Sequence, residues 1–261
     1  MRAVPDLEKE LRARREEGRK LLIPYLMGGM TDDWAQSLAA VVAAGADAVE
    51  VGIPFSDPMM DGPVVQEAAL RALTRGTVPQ DVLDGIAGAE TPVPVAVMTY
   101  YNIVFRAGHR RMARSLAAAG VRGAILPDLP IEEITPWAIE ADAAGIDTVL
   151  LVAPSSPPDR VERICARARG FVYAVARMGV TGERRDLGSD VTKVVERIRR
   201  FTDMPVCVGV GVSTPAQAAE LCEVADGVIV GSALVRRLLE GEGPDGAAAF
   251  VGSLREAIDG S

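Results

Sequence analysis

Eight short apolar runs recur along the chain, and each is followed by a stretch whose apolar positions fall at helical spacing. The runs begin at Leu21 (LLIPYL), Asp47 (DAVEV), Pro94 (PVAVMT) and Gly123 (GAIL), then at Asp147 (DTVLLV), Phe171 (FVYAV), Pro205 (PVCVGV) and Gly227 (GVIV). Most are continuous rather than alternating, which is the pattern of strands covered on both faces in a parallel sheet. Alanine-rich stretches close on Ala44-Gly45, Ala119-Gly120 and Ala144-Gly145 just before a strand, where glycine suits a left-handed helix cap. Eight β-then-α units predict an α/β fold of the (β/α)8 class, a TIM barrel spanning residues 1–261 as a single domain. A doubly wound open sheet is the competitor, but no G-x-G-x-x-G follows the first strand. The charged segment Asp6 to Lys20 predicts an extra N-terminal helix with a solvated face.

Two intervals between strands are long. One, after the second strand, holds GIPFSDPMMDGP (Gly52 to Pro63). The other, after the sixth, holds ARMGVTGERRDLG (Ala176 to Gly188). In a barrel both lie on the C-terminal face, where the loops that follow the strands build active sites.

Composition narrows the chemistry. The chain has 261 residues, 49% hydrophobic and 25% charged, a globular balance, and no apolar run approaches the roughly 18 residues of a membrane span. The opening MRAVPDLEKE lacks the apolar core of a secretory signal. Net charge −8 argues against nucleic acid as a partner, yet leaves room for a small phosphate held by backbone N–H groups. Three widely spaced cysteines without a CxxC point to reduced thiols and a cytoplasmic location. Lysine occurs only at Lys9, Lys20 and Lys193, and histidine only at His109. Schiff-base chemistry needs a lysine at the substrate, and a histidine-ligated zinc site usually needs several imidazoles. A Ser-His-Asp hydrolase would depend on His109, which sits in the loop-like, surface-type stretch RAGHRR. No metal and no cofactor are expected, and carboxylates are left to do the chemistry.

Glu50 is the first candidate. Side chains alternate along a strand, so Val49 and Val51 share the helix-covered face and Ala48 and Glu50 point into the lumen. A carboxyl group there should have a raised pKa, which suits a proton shuttle near neutral pH; pairing with a neighbouring strand's polar group is the plainer reading. Asp57 and Asp61 follow in a loop stiffened by Pro54, Pro58 and Pro63. Either could be a simple turn residue, but carboxyl groups in different environments are a recognised way to divide acid and base roles. Asp128, in LPDLP, reads as a loop anchor on the same rim. GVGVSTP (Gly209 to Pro215) and VIVGSALV (Val228 to Val235) place glycines between strand and helix on loops seven and eight, the usual phosphate position of this fold. The four tyrosines, Tyr25, Tyr100, Tyr101 and Tyr173, fall in or just after strands, as core packing or as walls of a flat apolar pocket.

Together these residues resemble the tryptophan synthase alpha subunit family over nearly the whole chain. VEVGIPFSDPMMDG (Val49 to Gly62) is similar to that family's signature. MTYYN (Met98 to Asn102), LPDLP (Leu126 to Pro130), GVTG (Gly179 to Gly182) and GVIVGSALV (Gly227 to Val235) are similar to further blocks in the same order. The resemblance implies a TIM barrel that cleaves indole-3-glycerol phosphate to indole and glyceraldehyde 3-phosphate without a cofactor, and passes indole to a beta subunit in a heterotetramer of two alpha and two beta chains. By matched position it makes Glu50 and Asp61 catalytic, and Gly182, Gly211, Gly231 and Ser232 phosphate-binding. Tyr25, Tyr100, Ile125 and Tyr173 would line the indole pocket, Thr181 would close on Asp61, and Asp57 would serve partner docking.

The chain departs from the family pattern at Met60, at Met30-Thr31 and at Ala176 and Met178. Three other functions compete. A free-standing lyase would release indole. A barrel kept as an allosteric activator of the beta subunit would not need both acids. A two-aspartate sugar-phosphate isomerase would need an acid after the first strand, where Met27, Gly28 and Gly29 stand.

Overall fold

The computed structural model describes residues 6–89, 91–175, 187–209 and 211–260. Its eight strands are β1 (Leu21–Met27), β2 (Val49–Gly52), β3 (Val95–Met98), β4 (Val121–Ile125), β5 (Asp147–Val152), β6 (Val172–Val175), β7 (Val206–Gly209) and β8 (Gly227–Val230). All pair in parallel in sequence order, and β1 closes on β8. Each contains the core of one of the eight apolar runs, so the (β/α)8 expectation holds.

The helices fill the return paths. α1 (Leu7–Glu16) precedes β1, and α2 (Trp34–Ala43) follows it. α3 (Pro63–Thr74) and α4 (Pro79–Ala89) lead to β3, and α5 (Tyr101–Ala107) and α6 (His109–Ala118) lead to β4. α7 (Thr135–Ala144), α8 (Pro158–Arg167), α9 (Leu187–Arg199) and α10 (Pro215–Val224) follow the next four strands, and α11 (Ser232–Leu239) and α12 (Gly243–Asp259) finish the chain. The loop-like reading of His109 needs correction: it opens α6, and its Nε2 lies 2.9 Å from the Tyr101 hydroxyl. A glycine at 108 with φ +84 separates α5 from α6, and that break is what the stretch signalled.

Two apolar layers result. The outer layer joins the strands to the helices. The inner one fills the lumen with Leu21, Ile23, Ala48, Ala96, Ile125, Val149, Phe171, Cys207 and Ile229. The extra N-terminal helix has a definite task, because its fully buried Leu7 and Leu11 belong to the lumen cluster and plug the N-terminal end.

Charge ties that end together. Asp47, just before β2, is fully buried and accepts hydrogen bonds from Arg14 (2.6 Å), Arg19 (2.6 Å), Arg255 (3.1 Å) and the Leu22 amide (2.8 Å). A buried carboxylate is tolerated only with such partners. They come from α1, the α1–β1 turn, α12 and β1, so the N-terminal face is locked and the C-terminal face is free to carry a site.

Candidate functional site

Parallel strands in a closed barrel send every strand-to-helix loop to one face. There the lumen opens into a cavity of about 390 Å³. The alternation along β2 works as the sequence implied: Val49 and Val51 lie in the outer layer, Ala48 in the lumen, and Glu50 in the cavity wall. Glu50 is buried, and its Oε2 has no hydrogen-bond partner among the described residues. Burial, with a smaller contribution from the Asp61 charge, pushes its pKa up to about 8. At neutral pH Glu50 is therefore an uncharged acid with a proton to give.

Asp61 reaches the same cavity from the loop between β2 and α3. Burial raises its pKa, and a hydrogen bond from the Tyr100 hydroxyl opposes that rise. The two carboxyl groups thus differ in kind: one sits in the strand without a partner, the other on the rim with a donor.

Tyr25, Ile125 and Tyr173 line the cavity, as do Gly211, Gly231 and Ser232. Gly211 has φ +79, a conformation that L side chains rarely adopt, so the turn after β7 requires glycine. Gly231 and Ser232 begin α11 directly after β8. A second cavity of about 350 Å³ shares Gly211 and Ser232, so loops seven and eight face one space. Amides at a helix start beside glycines form an anion-binding arrangement.

Asp57 belongs to the loop that carries Asp61, and Tyr100 to its support. Tyr100 is buried next to the cavity-lining Asp61. Its ring stacks on Phe55 (centroids 5.0 Å apart), its hydroxyl donates to Asp61 (3.1 Å), and it accepts the Met60 N–H (2.9 Å). These contacts set the phenol directly behind Asp61. Asp57 is exposed on the loop's outer side, where it accepts from Ser56 (2.6 Å). Thr181 and Gly182, with Ala176 and Met178, lie outside the described residues. Asp128 accepts the Tyr101 N–H through both oxygens (2.9 and 3.1 Å), anchoring the start of α5 to the β4 loop.

The sequence reasoning missed Met98, Leu151, Val175 and Ile229, which supply apolar wall. The signal was available: each shares strand parity with a lumen residue below it, as Met98 does with Ala96 and Ile229 with Gly227. Among the described residues, no three His, Cys, Asp or Glu side chains come together as a metal site requires.

Fold and site define a (β/α)8-barrel protein with two unlike carboxyl groups and a glycine-rich rim at the C-terminal ends of its strands. Residues 11–254 match the family model described as tryptophan synthase alpha chain. A tryptophan synthase alpha chain of Halorhodospira halophila is 48% identical over 97% of this chain and 93% of its own length; one of Thermobifida fusca is 47% identical over 90% and 89%. The structure of Mycobacterium tuberculosis tryptophan synthase includes a chain of 40% identity and TM-score 0.88, with 98% of each chain covered. This chain belongs to the tryptophan synthase alpha chain family.

Proposed function

We propose that this chain cleaves indole-3-glycerol phosphate to indole and glyceraldehyde 3-phosphate, with Glu50 and Asp61 as its catalytic groups. The observation that carries the reading is a protonated, unpartnered Glu50 sharing one cavity with Asp61. Glu50 gives its proton to indole C3, which becomes tetrahedral and leaves the ring nitrogen electron-poor. The Asp61 carboxylate accepts the ring N–H and stabilises that charge. Glu50, now a carboxylate, takes the proton of the hydroxyl on the adjacent chain carbon. The carbon–carbon bond breaks, its electron pair returns to the indole ring, and the hydroxyl carbon leaves as the aldehyde. Gly211, Gly231 and Ser232 hold the phosphate through amides, and Ile125 and Tyr173 flank the indole.

The partner in this reading is a beta subunit that receives the indole, in an assembly of two alpha and two beta chains. Support comes from the β2–α3 loop on the C-terminal face, where the adjacent Met59 and Met60 are 86% and 60% exposed, two and three residues on from exposed Asp57. Large apolar side chains grouped on one surface mark interaction sites. The cytoplasmic location belongs to the same proposal and rests on three free, buried cysteines. Among the described residues no helix is long and apolar enough to cross a membrane.

Indole release from indole-3-glycerol phosphate, measured with and without the cognate beta subunit, tests the whole. Slow release alone and faster release with the partner is expected. No release in either condition would overturn the lyase reading, and full activity with no response would favour a free-standing lyase.

A further inference from the structure

Tyr25 carries a hydroxyl that the packing of the described residues leaves without a partner. Its side chain is 3% exposed, its Oη makes no hydrogen bond to any described residue, and it lies in the wall of the catalytic cavity. An unpaired buried hydroxyl costs stability, and a neighbouring phenylalanine-like packing would serve the core equally well. The group therefore has a use that the ligand-free protein does not satisfy.

Topology says what lies next to it. Around the barrel the order runs β7, β8, β1, β2. The glycine-rich loops that follow β7 and β8 stand on one side of β1, and Glu50 of β2 stands on the other, with Tyr25 in register with Glu50. The Tyr25 ring spans this gap. Its Cβ end lies 3.7 Å from where a side chain at Gly231 would begin. Its hydroxyl end occupies the space above Gly52 that any side chain there would fill, two residues on from Glu50 on the same strand face. A ligand held by phosphate at Gly231 and reacting beside Glu50 must carry its connecting chain along this ring. Ile125 of β4 lies beyond Glu50 in the same cavity wall, and the Tyr173 ring of β6 covers Gly209 of β7.

We propose that Tyr25 positions the glycerol chain of the substrate, its hydroxyl bonding a chain hydroxyl between the phosphate and the scissile bond. This rests on the lyase reading above. The phenol acts as a neutral donor and acceptor, since burial and the nearby carboxyl groups keep it protonated. It touches the part of the substrate that becomes the aldehyde product, and so selects for a hydroxylated three-carbon chain over a plain alkyl one.

The test is Tyr25→Phe, which keeps the ring and removes only the oxygen. Three measurements are made on the variant and the parent: kcat/KM for indole-3-glycerol phosphate, the affinity for the analogue with both chain hydroxyls replaced by hydrogen, and the denaturant midpoint. The expected result is a fall in kcat/KM of about tenfold, the worth of one hydrogen bond to substrate. Analogue affinity should stay within twofold, and the midpoint should be unchanged or higher, because an unpaired buried group has gone. A kcat/KM within twofold of the parent overturns the proposal. So does an analogue affinity that falls in step with kcat/KM, which would make Tyr25 a packing residue. A parent that cleaves nothing would sink the lyase reading itself, a failure visible before any variant is made.

Discussion

The Tyr100 phenol joins the two ends of a short link: it accepts the Met60 N–H at 2.9 Å and donates to the Asp61 carboxylate at 3.1 Å. Its ring also stacks on Phe55, so one side chain from the end of β3 holds both the start and the end of the β2–α3 loop. The carboxyl group proposed to face the indole nitrogen is thereby aimed by the Tyr100 phenol.

Tyr100→Phe should keep the stack and lose the donor. The hydroxyl bond favours the ionised form of Asp61 against burial, so its removal raises the Asp61 pKa further. The acid limb of the pH profile of kcat/KM should move to higher pH, with turnover at pH 7 down by roughly tenfold, as for a hydrogen bond to a charged group. An unmoved acid limb in steady-state assays from pH 5 to 9 would leave Tyr100 a packing residue.

Glu50 makes the stability of the protein depend on pH in a definite direction. Its pKa is about 8 in the fold against an ordinary value of 4.5, so between those values the folded state holds a proton that the unfolded chain has released. Its contribution is intact below about pH 4.5 and is lost as pH rises toward 8. Glu50→Gln lacks this loss. Denaturant unfolding should show the variant gaining on the parent by at most roughly 1.4 kcal/mol per pH unit across that window. A constant gap from pH 5 to 8 would mean that Glu50 is ionised in the fold.

Position 231 separates binding from folding. A Cβ there would meet only Tyr25, at 3.7 Å or more, an ordinary contact, so a side chain is tolerated by the empty protein. Gly231→Asp should fold with a near-parent denaturant midpoint and lose at least tenfold in affinity for glycerol phosphate by calorimetry, because it sets a carboxylate where the phosphate approaches. Equal affinity would place the anion elsewhere.

Asp57 faces solvent and is 2.6 Å from the Ser56 hydroxyl, outside the cavity. Asp57→Ala should therefore keep the lyase rate of the isolated chain and lose most of the several-fold activation given by the beta subunit. Rates measured with increasing beta subunit decide it. Equal loss of both rates would bring Asp57 into the chemistry.

Much of this was legible in the sequence because barrel geometry is periodic. Strand number, the inward aim of Glu50 and the glycines after β7 and β8 all follow from local pattern and repeat count. The N-terminal helix was legible as a helix but not as a plug, since burial of Leu7 and Leu11 depends on the distant lumen they enter. The contacts of Tyr100 were hidden for a related reason. It lies two residues beyond β3, where strand parity no longer dictates direction, and its partners Met60 and Asp61 are set by a loop 39–40 residues away. The unpaired state of the Tyr25 hydroxyl could not be read from the chain at all, because it depends on every neighbour that fails to reach it.

The central claim is that Glu50 moves the proton. Glu50→Gln preserves the shape of the side chain and removes that capacity. Indole release at saturating indole-3-glycerol phosphate, in the presence of the beta subunit, should fall at least about a hundredfold, while substrate affinity by direct titration stays within a few-fold. Turnover near that of the parent would contradict the account.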